Sequence, residues 1–434
     1  MHISSLIKKL LNVKGIVVKD VRTEVQKGEE ILVVAGKPMK KQQGRCGVCG
    51  RKSPGYDAGT DGRRWRALDL GTMRVYIESD LPRVCCKEHG VVASRAPWAR
   101  HGSWFTKPFE DQACWLTLHA SKSAVSELMR VDWATVGGIV KRVYDDAKAN
   151  GPDMFDGLER IGIDETSYRK GHKYMTVVVN HDTGALIWAA KGHGKEVLNG
   201  FFESIGEERC AGIRFVTADG AGWISDSVSA HCKNAERCID PFHVVQWVTD
   251  VLDEVRRSVW RDARQEASAG GAPKKRGRPK AGEKRPKDAA KEIKGSRYAL
   301  LKNPDHLTAS QEVIVEMIAT ENPLLYRAYL LKERLRLVFR LPPDEAAAEL
   351  DAWVKWAQHC RIPQFVELQR KIRRHWDAIL SSIRNGLSNA RIEAVNNKIK
   401  LTIRMGYGFR NMENMIAMVM LRCSKLDVAL PGRA

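Results

Sequence analysis

The chain has 434 residues, 43% of them hydrophobic, with 72 Lys and Arg against 52 Asp and Glu, a formal net charge of +20. That length accommodates two to four domains with at least one sizeable core, and the positive excess favours polyanionic partners. No uncharged apolar run approaches the ~18 residues of a spanning helix. Lys8, Lys9 and Lys14 interrupt the first apolar segment, which argues against a signal peptide. A cytoplasmic protein without a membrane partner is therefore expected.

The N-terminal region, residues 1–105, consists of short apolar runs broken by Gly, Pro and Arg clusters. The ten cysteines do not read as a disulfide framework in a reducing compartment. Cys46-Gly47-Val48-Cys49 offers two thiolates to one tetrahedral ion, and Cys86 and His89 repeat the same spacing. Cys85 is the competing ligand. Alternating residues such as those from Met73 to Ile77 suit strands. A zinc ribbon over about residues 40–100 is expected, with structural Zn²⁺ on Cys46, Cys49, Cys86 and His89. Four protein ligands leave no coordination position for substrate.

Residues 106–150 read as two or three short helices, broken at Ser121–Ser123 and at Val131-Asp132, the last running from about Trp133 to Asp146. This fits a helix-turn-helix that reads double-stranded DNA, with Lys141 and Arg142 as candidate contacts. Gly137 and Gly138 weaken helix propensity within it.

Residues 155–260 alternate strand-like and helix-like runs. Leu158 to Asp164, Tyr174 to Asn180 and Leu186 to Ala189 predict a three-stranded meander around the turn at His181-Asp182-Thr183-Gly184. A helix over Lys195–Ile205, a strand over Ile213–Ala218, a helix over Ser225–His231, a strand over Arg237–Asp240 and a long helix to about Trp260 follow. This is the ribonuclease-H topology. Asp164 and Asp219 end two of its strands, side by side although distant in sequence. Carboxylates this close repel unless a cation neutralises them, and Mg²⁺ or Mn²⁺ suits an all-oxygen donor set. A solvated strand-end aspartate is the plain alternative for either one alone.

Residues 261–385 are expected to form a basic linker and a helical insertion. Between Arg261 and Lys294 there are 12 Lys or Arg against 5 Asp or Glu and almost no large apolar residue, so this stretch should be a mobile basic loop. Lys274-Lys275-Arg276-Gly277-Arg278-Pro279-Lys280 is similar to a minor-groove hook, with Arg276, Arg278 and Lys280 as its contacts. Arg370-Lys371-Ile372-Arg373-Arg374 is a candidate DNA-backbone patch. In residues 386–434, Asn389, Glu393, Asn396 or Asn397, and Lys400 share one face of a helix predicted over Ala390–Leu401.

These segments together resemble the bacterial insertion-sequence transposases of the ISL3 family. The resemblance is carried by Gly162 to Tyr174, Thr217-Ala218-Asp219-Gly220, Asp240-Pro241-Phe242-His243-Val244-Val245, Arg297 to Pro304, Ser388 to Lys400, and Gly406-Tyr407-Gly408-Phe409-Arg410-Asn411. It spans nearly the whole chain in order. One departure is Asp219-Gly220-Ala221-Gly222-Trp223, where family members often carry an aromatic residue and a proline. The resemblance implies a multidomain α/β protein: a ribonuclease-H-like catalytic core with a mostly α-helical insertion, preceded by a zinc ribbon and a helix-turn-helix. It implies Asp164, Asp219 and Glu393 as a catalytic triad on two Mg²⁺ or Mn²⁺ ions, with Asp240, His243 and Asn389 as auxiliaries. Arg391 and Lys400 become DNA contacts, and Asn389 a possible backbone contact as well. The reaction implied is strand cleavage followed by transfer of the exposed 3′-hydroxyl into target DNA, by a homodimer or larger assembly on the element ends. Two rival readings use the same residues: a nuclease that cuts without joining, and a DNA-binding regulator with an inactive core.

Overall fold

The computed structural model describes residues 3–269, 289–428 and 430–433. The hook segment with Arg276, Arg278 and Lys280 lies outside the described residues.

The N-terminal region holds more regular structure than its composition suggests. After a helix over Ile3–Leu10 come strands β1 (Ile16–Gln26), β2 (Glu29–Pro38), β3 (Gly55–Arg66), β4 (Arg74–Cys86) and β5 (Gly90–Ala93). They pair in the order β1-β2-β4-β3, with β5 also on β4. One face buries Ile16, Val34, Trp65, Val75 and Ile77. The outer face carries an ionic lattice of Arg22, Glu24, Arg64 and Glu78.

Three helices follow: Lys107–His119, Lys122–Met129 and Trp133–Asn150. Thr106 and Ser121 cap the first two through backbone N–H groups of Phe109 and Ala124, and Arg130 ends the second with φ +51°. The apolar stripe Val136, Ile139, Val140 and Val143 packs against Val125 and Met129, and also against Ala417, Met418 and Leu421 from the far end of the chain. The helices approach so closely that a Cβ on Gly137 would lie 2.5 Å from Asn414 Nδ2. The two glycines that weaken helix propensity are thus kept, in one case, for contact with the C-terminal helix Met412–Cys423.

The central sheet comprises β6 (Arg160–Arg169), β7 (Lys173–Asn180), β8 (Ala185–Lys191), β9 (Phe215–Ala218) and β10 (Glu236–Ile239), in the order β10-β9-β6-β7-β8. The first three form an antiparallel meander, and β9 and β10 add parallel to β6. Alternation sorts its side chains. Ile161, Ile163 and Val178 face the helices Lys195–Ile205 and Gly222–His231. Met175, Val177 and Val179 face Ile392, Val395 and Ile399 of the helix Ala390–Met405, and Met415 and Val419 of Met412–Cys423. Each such side chain contributes about 1.5–3 kcal/mol over its exposed state. Gly162 lies on this second face because a Cβ there would overlap Ile392. The absence of a side chain lets the helix Ala390–Met405 settle onto β6.

The helix after β10 runs over Pro241–Ala269, past the predicted end near Trp260. Residues 261–269 therefore continue a helix and are not part of a loop: Val259, Trp260 and Ala263 pack against the insertion's core. That core joins Val244, Val248, Leu252 and Val255 to the helices Pro323–Val338, Pro343–His359 and Pro363–Arg374. One helix thus belongs to both the sheet layer and the insertion.

Candidate functional site

Two turns face each other beside β4. Cys46 to Gly50 closes through a hydrogen bond from Gly50 N–H to the Cys46 carbonyl, 2.9 Å. Cys86 to Gly90 forms the β4–β5 connection. Both end on a glycine in the left-handed region, Gly50 at φ +70° and Gly90 at +65°, which L side chains resist. The ligand atoms of Cys46, Cys49, Cys86 and His89 all lie within 4.8 Å of one another. Cys49 Sγ is 3.8 Å from Cys86 Sγ, and His89 Nδ1 is 3.7 Å from Cys86 Sγ and 3.9 Å from Cys46 Sγ. Zinc bonds of about 2.0–2.3 Å separate tetrahedral ligands by about 3.5–3.8 Å, so the donor set fits structural Zn²⁺. Hydrogen bonds with His89 pull the Cys86 thiol down to about 6, towards the thiolate that binds metal. Cys85, the competing ligand, is exposed and stands outside the group, because successive residues of β4 point to opposite faces.

The ribbon's tail is tied to the three helices by a buried carboxylate. Glu110 accepts from Ser103 Oγ at 2.7 Å, from Arg142 Nε at 2.7 Å and from Arg100 Nη1 at 3.3 Å, and is itself fully buried. Arg142 is therefore engaged with Glu110, and Lys141 pairs with Asp145 at 2.6 Å. The exposed start of the helix Trp133–Asn150 offers Asp132, Trp133 and Ala134.

At the central sheet, Asp164 on β6 points towards the helix Ala390–Met405. Its Oδ2 accepts from Asn396 Nδ2 at 2.6 Å, and its Oδ1 accepts from the Glu165 N–H at 2.7 Å. Burial pushes the Asp164 carboxyl up, against these hydrogen bonds and the nearby His243; Asp219 acts with burial. Glu165 is also pushed up by burial, while it accepts from the Gly194 N–H at 3.1 Å. Asp219 follows β9 directly and accepts from Ala221 N–H at 3.0 Å. Its backbone is held by Arg237 on β10, whose Nη2 donates to the Asp219 carbonyl at 3.1 Å and whose Nη1 donates to the Val216 carbonyl at 3.2 Å. Burial lowers this guanidinium to about 10.

Asp240 follows β10 directly and is buried. Its Oδ1 accepts from the Phe242 and Asn389 backbone N–H groups, each at 3.3 Å. Asn389, expected at the DNA-facing surface, is instead buried at the start of its helix, where its backbone N–H is held by Asp240. Asp240 Oδ2, both polar side-chain atoms of Asn389 and Asn396 Oδ1 are buried without a hydrogen-bond partner. Glu393, Asn397, Lys400 and Arg391 on the same helix are exposed while Asn389 and Asn396 are buried, so the predicted single face divides by burial, and Asn396 is the residue that reaches Asp164. Among the described residues, the Cys/His group is the only one of three or more potential ligands gathered within 4.8 Å. The three carboxylates Asp164, Asp219 and Glu393 are not drawn that close.

Sequence reasoning missed several neighbours. His181 is buried with Nε2 2.6 Å from Thr217 Oγ1. Burial, with Arg391 adding to it, lowers its pKa from 6.5 to about 4. Between those values the unfolded chain binds a proton that the folded chain does not. Stability is thus full above 6.5 and falls as pH drops towards about 4, by on the order of 3 kcal/mol. Urea midpoints at about pH 7.5 and about pH 5 should fall more steeply for wild type than for His181→Gln; parallel pH dependence would remove His181 from this account.

Comparisons with known proteins bear on the whole chain. The ISL3 family model described as "Transposase" matches residues 161–419. A model described as zinc-finger of transposase IS204/IS1001/IS1096/IS1165 matches residues 42–89, and one described as helix-turn-helix domain of transposase family ISL3 matches residues 95–144. The chain belongs to the ISL3 family of transposases. It is 48% identical over 436 residues to the transposase for insertion sequence element IS1557 in two strains of Mycobacterium tuberculosis, covering 99% of this chain and 97% of the relative. It is 28% identical over 376 residues to the transposase for insertion sequence element IS1001 of Bordetella parapertussis, covering 86% of this chain and 85% of the relative. This transposase is a DNA-processing enzyme of mobile elements, with a zinc ribbon and a helix-turn-helix for DNA ahead of its transposase domain. Among the described residues no helix is long and apolar enough to cross a membrane.

Proposed function

We propose that this transposase cleaves the ends of its element and joins the resulting 3′-hydroxyls to target DNA, with Asp164, Asp219 and Glu393 as the catalytic acids of a ribonuclease-H-like core. The observation that carries the reading is the approach of Asp164 and Asp219 on adjacent parallel strands, beneath the helix that bears Glu393. A buried carboxylate beside a second one costs stability unless a cation joins it, and carboxylate oxygens are donors for Mg²⁺ or Mn²⁺. Two such ions would supply an activated oxygen nucleophile and neutralise the charge that develops on the phosphorus.

The chain's own side chains prepare that chemistry. Asn396 fixes the orientation of Asp164, and Arg237 fixes the turn that carries Asp219. Asp240 anchors the first turn of the helix Ala390–Met405, which sets the position of Glu393. His243, from the start of the helix Pro241–Ala269, adds favourable charge beside Asp164 when protonated. Arg391 and Lys400 lie on the exposed side, where a DNA backbone would pass. In this reading Zn²⁺ on Cys46, Cys49, Cys86 and His89 is structural. The division at residues 105, 150, 260 and 385 describes functional parts, and a dimer or larger assembly pairs the two element ends.

The test is cleavage and joining on a labelled duplex carrying the element's own ends, with Mg²⁺, Mn²⁺ or EDTA, for wild type beside Asp219→Ala. Metal-dependent cleavage and a joined product, both lost in the variant, are expected. Cleavage without joining would make the protein a nuclease, and binding without either reaction would make it a regulator.

A further inference from the structure

The insertion brings a cluster to the second acid. A Cβ on Gly220 would lie 2.5 Å from the Trp247 ring and 3.7 Å from His375 Nε2, so both rings sit against the turn that carries Asp219. Trp247 stands four residues after His243 on the helix shared by sheet and insertion, and side chains four apart share a helix face. Lys371, from the insertion helix Pro363–Arg374, lays its Nζ over the Trp247 ring, 3.6 Å from the centroid. The ring holds the ammonium electrostatically without neutralising it.

The charges around Lys371 leave it available. Arg370 pairs with Glu367 at 2.5 Å and Arg373 donates to Gln358 at 3.2 Å, but Lys371 forms no ion pair within 4.0 Å among the described residues. Burial pushes the Lys371 ammonium down, Asp219 and Asp250 act against this, and Arg374 adds to it. Burial pushes the His375 imidazole down, and Lys371, Arg374 and Arg237 add to it. Positive charge therefore collects on one side of Asp219. With cations on the carboxylates, Asp219 would balance Lys371 less, and an anion entering the site would supply the compensating charge.

We propose that Lys371 is a catalytic residue supplied by the insertion, and that its ammonium, poised on Trp247, binds a backbone phosphate of the DNA strand cleaved at Asp164 and Asp219. This rests on the reading of the site as a strand-cleavage centre. No covalent step is involved: the ammonium donates hydrogen bonds to a non-bridging oxygen and offsets charge gained in the transition state. The insertion is then part of the reaction centre as well as a structural support.

The experiment compares wild type, Lys371→Met and Lys371→Arg in single-turnover cleavage of end duplexes, each duplex carrying one neutral methylphosphonate at successive positions across the cut. Lys371→Met should slow cleavage of the all-phosphate duplex by about 10–100-fold, with its thermal midpoint and the Mg²⁺ concentration for half-maximal rate unchanged. Lys371→Arg should recover part of the rate. At one position the methylphosphonate should slow wild type and not slow Lys371→Met further. A wild-type rate for Lys371→Met, or additive losses at every position, would overturn the proposal. A shifted Mg²⁺ requirement without non-additivity would overturn it too, since Lys371 would then be a counter-charge for Asp219. Wild type that fails to cut any duplex would bring down the reading of the site itself.

Discussion

Asp164→Asn is expected to lower strand cleavage by at least about 10³-fold while making the metal-free protein more stable by about 1 kcal/mol. The two effects share a cause. Asp164 is buried beneath the helix Ala390–Met405 and feels the charges of Asp219 and Glu165. Asparagine keeps its oxygen for the Glu165 N–H, and its amide can donate to the otherwise unpartnered Asn396 Oδ1 once that side chain flips. The negative charge is removed, so packing survives, repulsion is relieved, and the ligand for a cation is gone. Glu393→Gln should lose cleavage to a similar degree without the gain in stability, because Glu393 is exposed. Thermal midpoints with EDTA, gel shifts on end DNA and cleavage assays separate these outcomes. An Asp164→Asn protein that cleaves normally would remove the residue from the triad, and one that loses end binding would show that the fold has been disturbed.

Removing zinc should have the larger structural effect. The apolar cluster at the ribbon is confined to Cys46, Val84 and Cys86, with Cys49 and Val92 partly buried beside it. Three of those five residues are proposed ligands, so little core remains once the ion leaves, whereas a structural zinc supplies roughly 10 kcal/mol or more in small domains. Cys46→Ser, or a strong chelator, is expected to abolish hydrogen-exchange protection over residues 42–54 and 84–94, at the ligand-bearing turns, and to leave both the β1–β4 sheet core and the central sheet protected. End binding should fall by at least about tenfold, because Arg100 and Ser103 at the ribbon's tail hold Glu110 among the three helices. The checks are metal content by mass spectrometry, exchange rates and end-binding titrations. Purified protein free of zinc with the ribbon still protected would overturn the account.

Local chemistry made much of this molecule legible in advance. Period-two alternation and turn residues located β6, β7 and β8, and the helix Lys195–Ile205 has the predicted bounds. The two Cys/His pairs read directly because a tetrahedral ion requires that spacing, and strand alternation then decides between Cys85 and Cys86. What remained hidden depends on contacts between distant segments. The run from Arg261 to Ala269 lacks the large apolar residues that mark a packed helix; it is helical because Ala, Arg, Gln and Glu favour the helix and because it continues the packed segment that ends at Val259, Trp260 and Ala263. The predicted face of Asn389, Glu393 and Lys400 ignored the side on which the helix is buried, which Ile392, Val395 and Ile399 set. Arg237, Trp247 and His181 carry no motif of their own, and Lys371 read only as one member of the basic patch Arg370–Arg374: they matter through their positions beside Asp219, Gly220 and Thr217.

The core of the three N-terminal helices is completed by Ala417, Met418, Leu421, Leu426 and Val428. This has a consequence for the life of the gene. A chain stopped at residue 411 would contain every residue of the helix-turn-helix and yet leave Val136, Ile139 and Val140 without their covering, at a cost of several kcal/mol, roughly 2–3 for each large side chain uncovered. Gel shifts with such a fragment should show no specific end binding, and tight binding would contradict the argument. Premature stop codons would then silence the element outright: decaying copies would yield no truncated competitor able to occupy the ends and restrain intact ones.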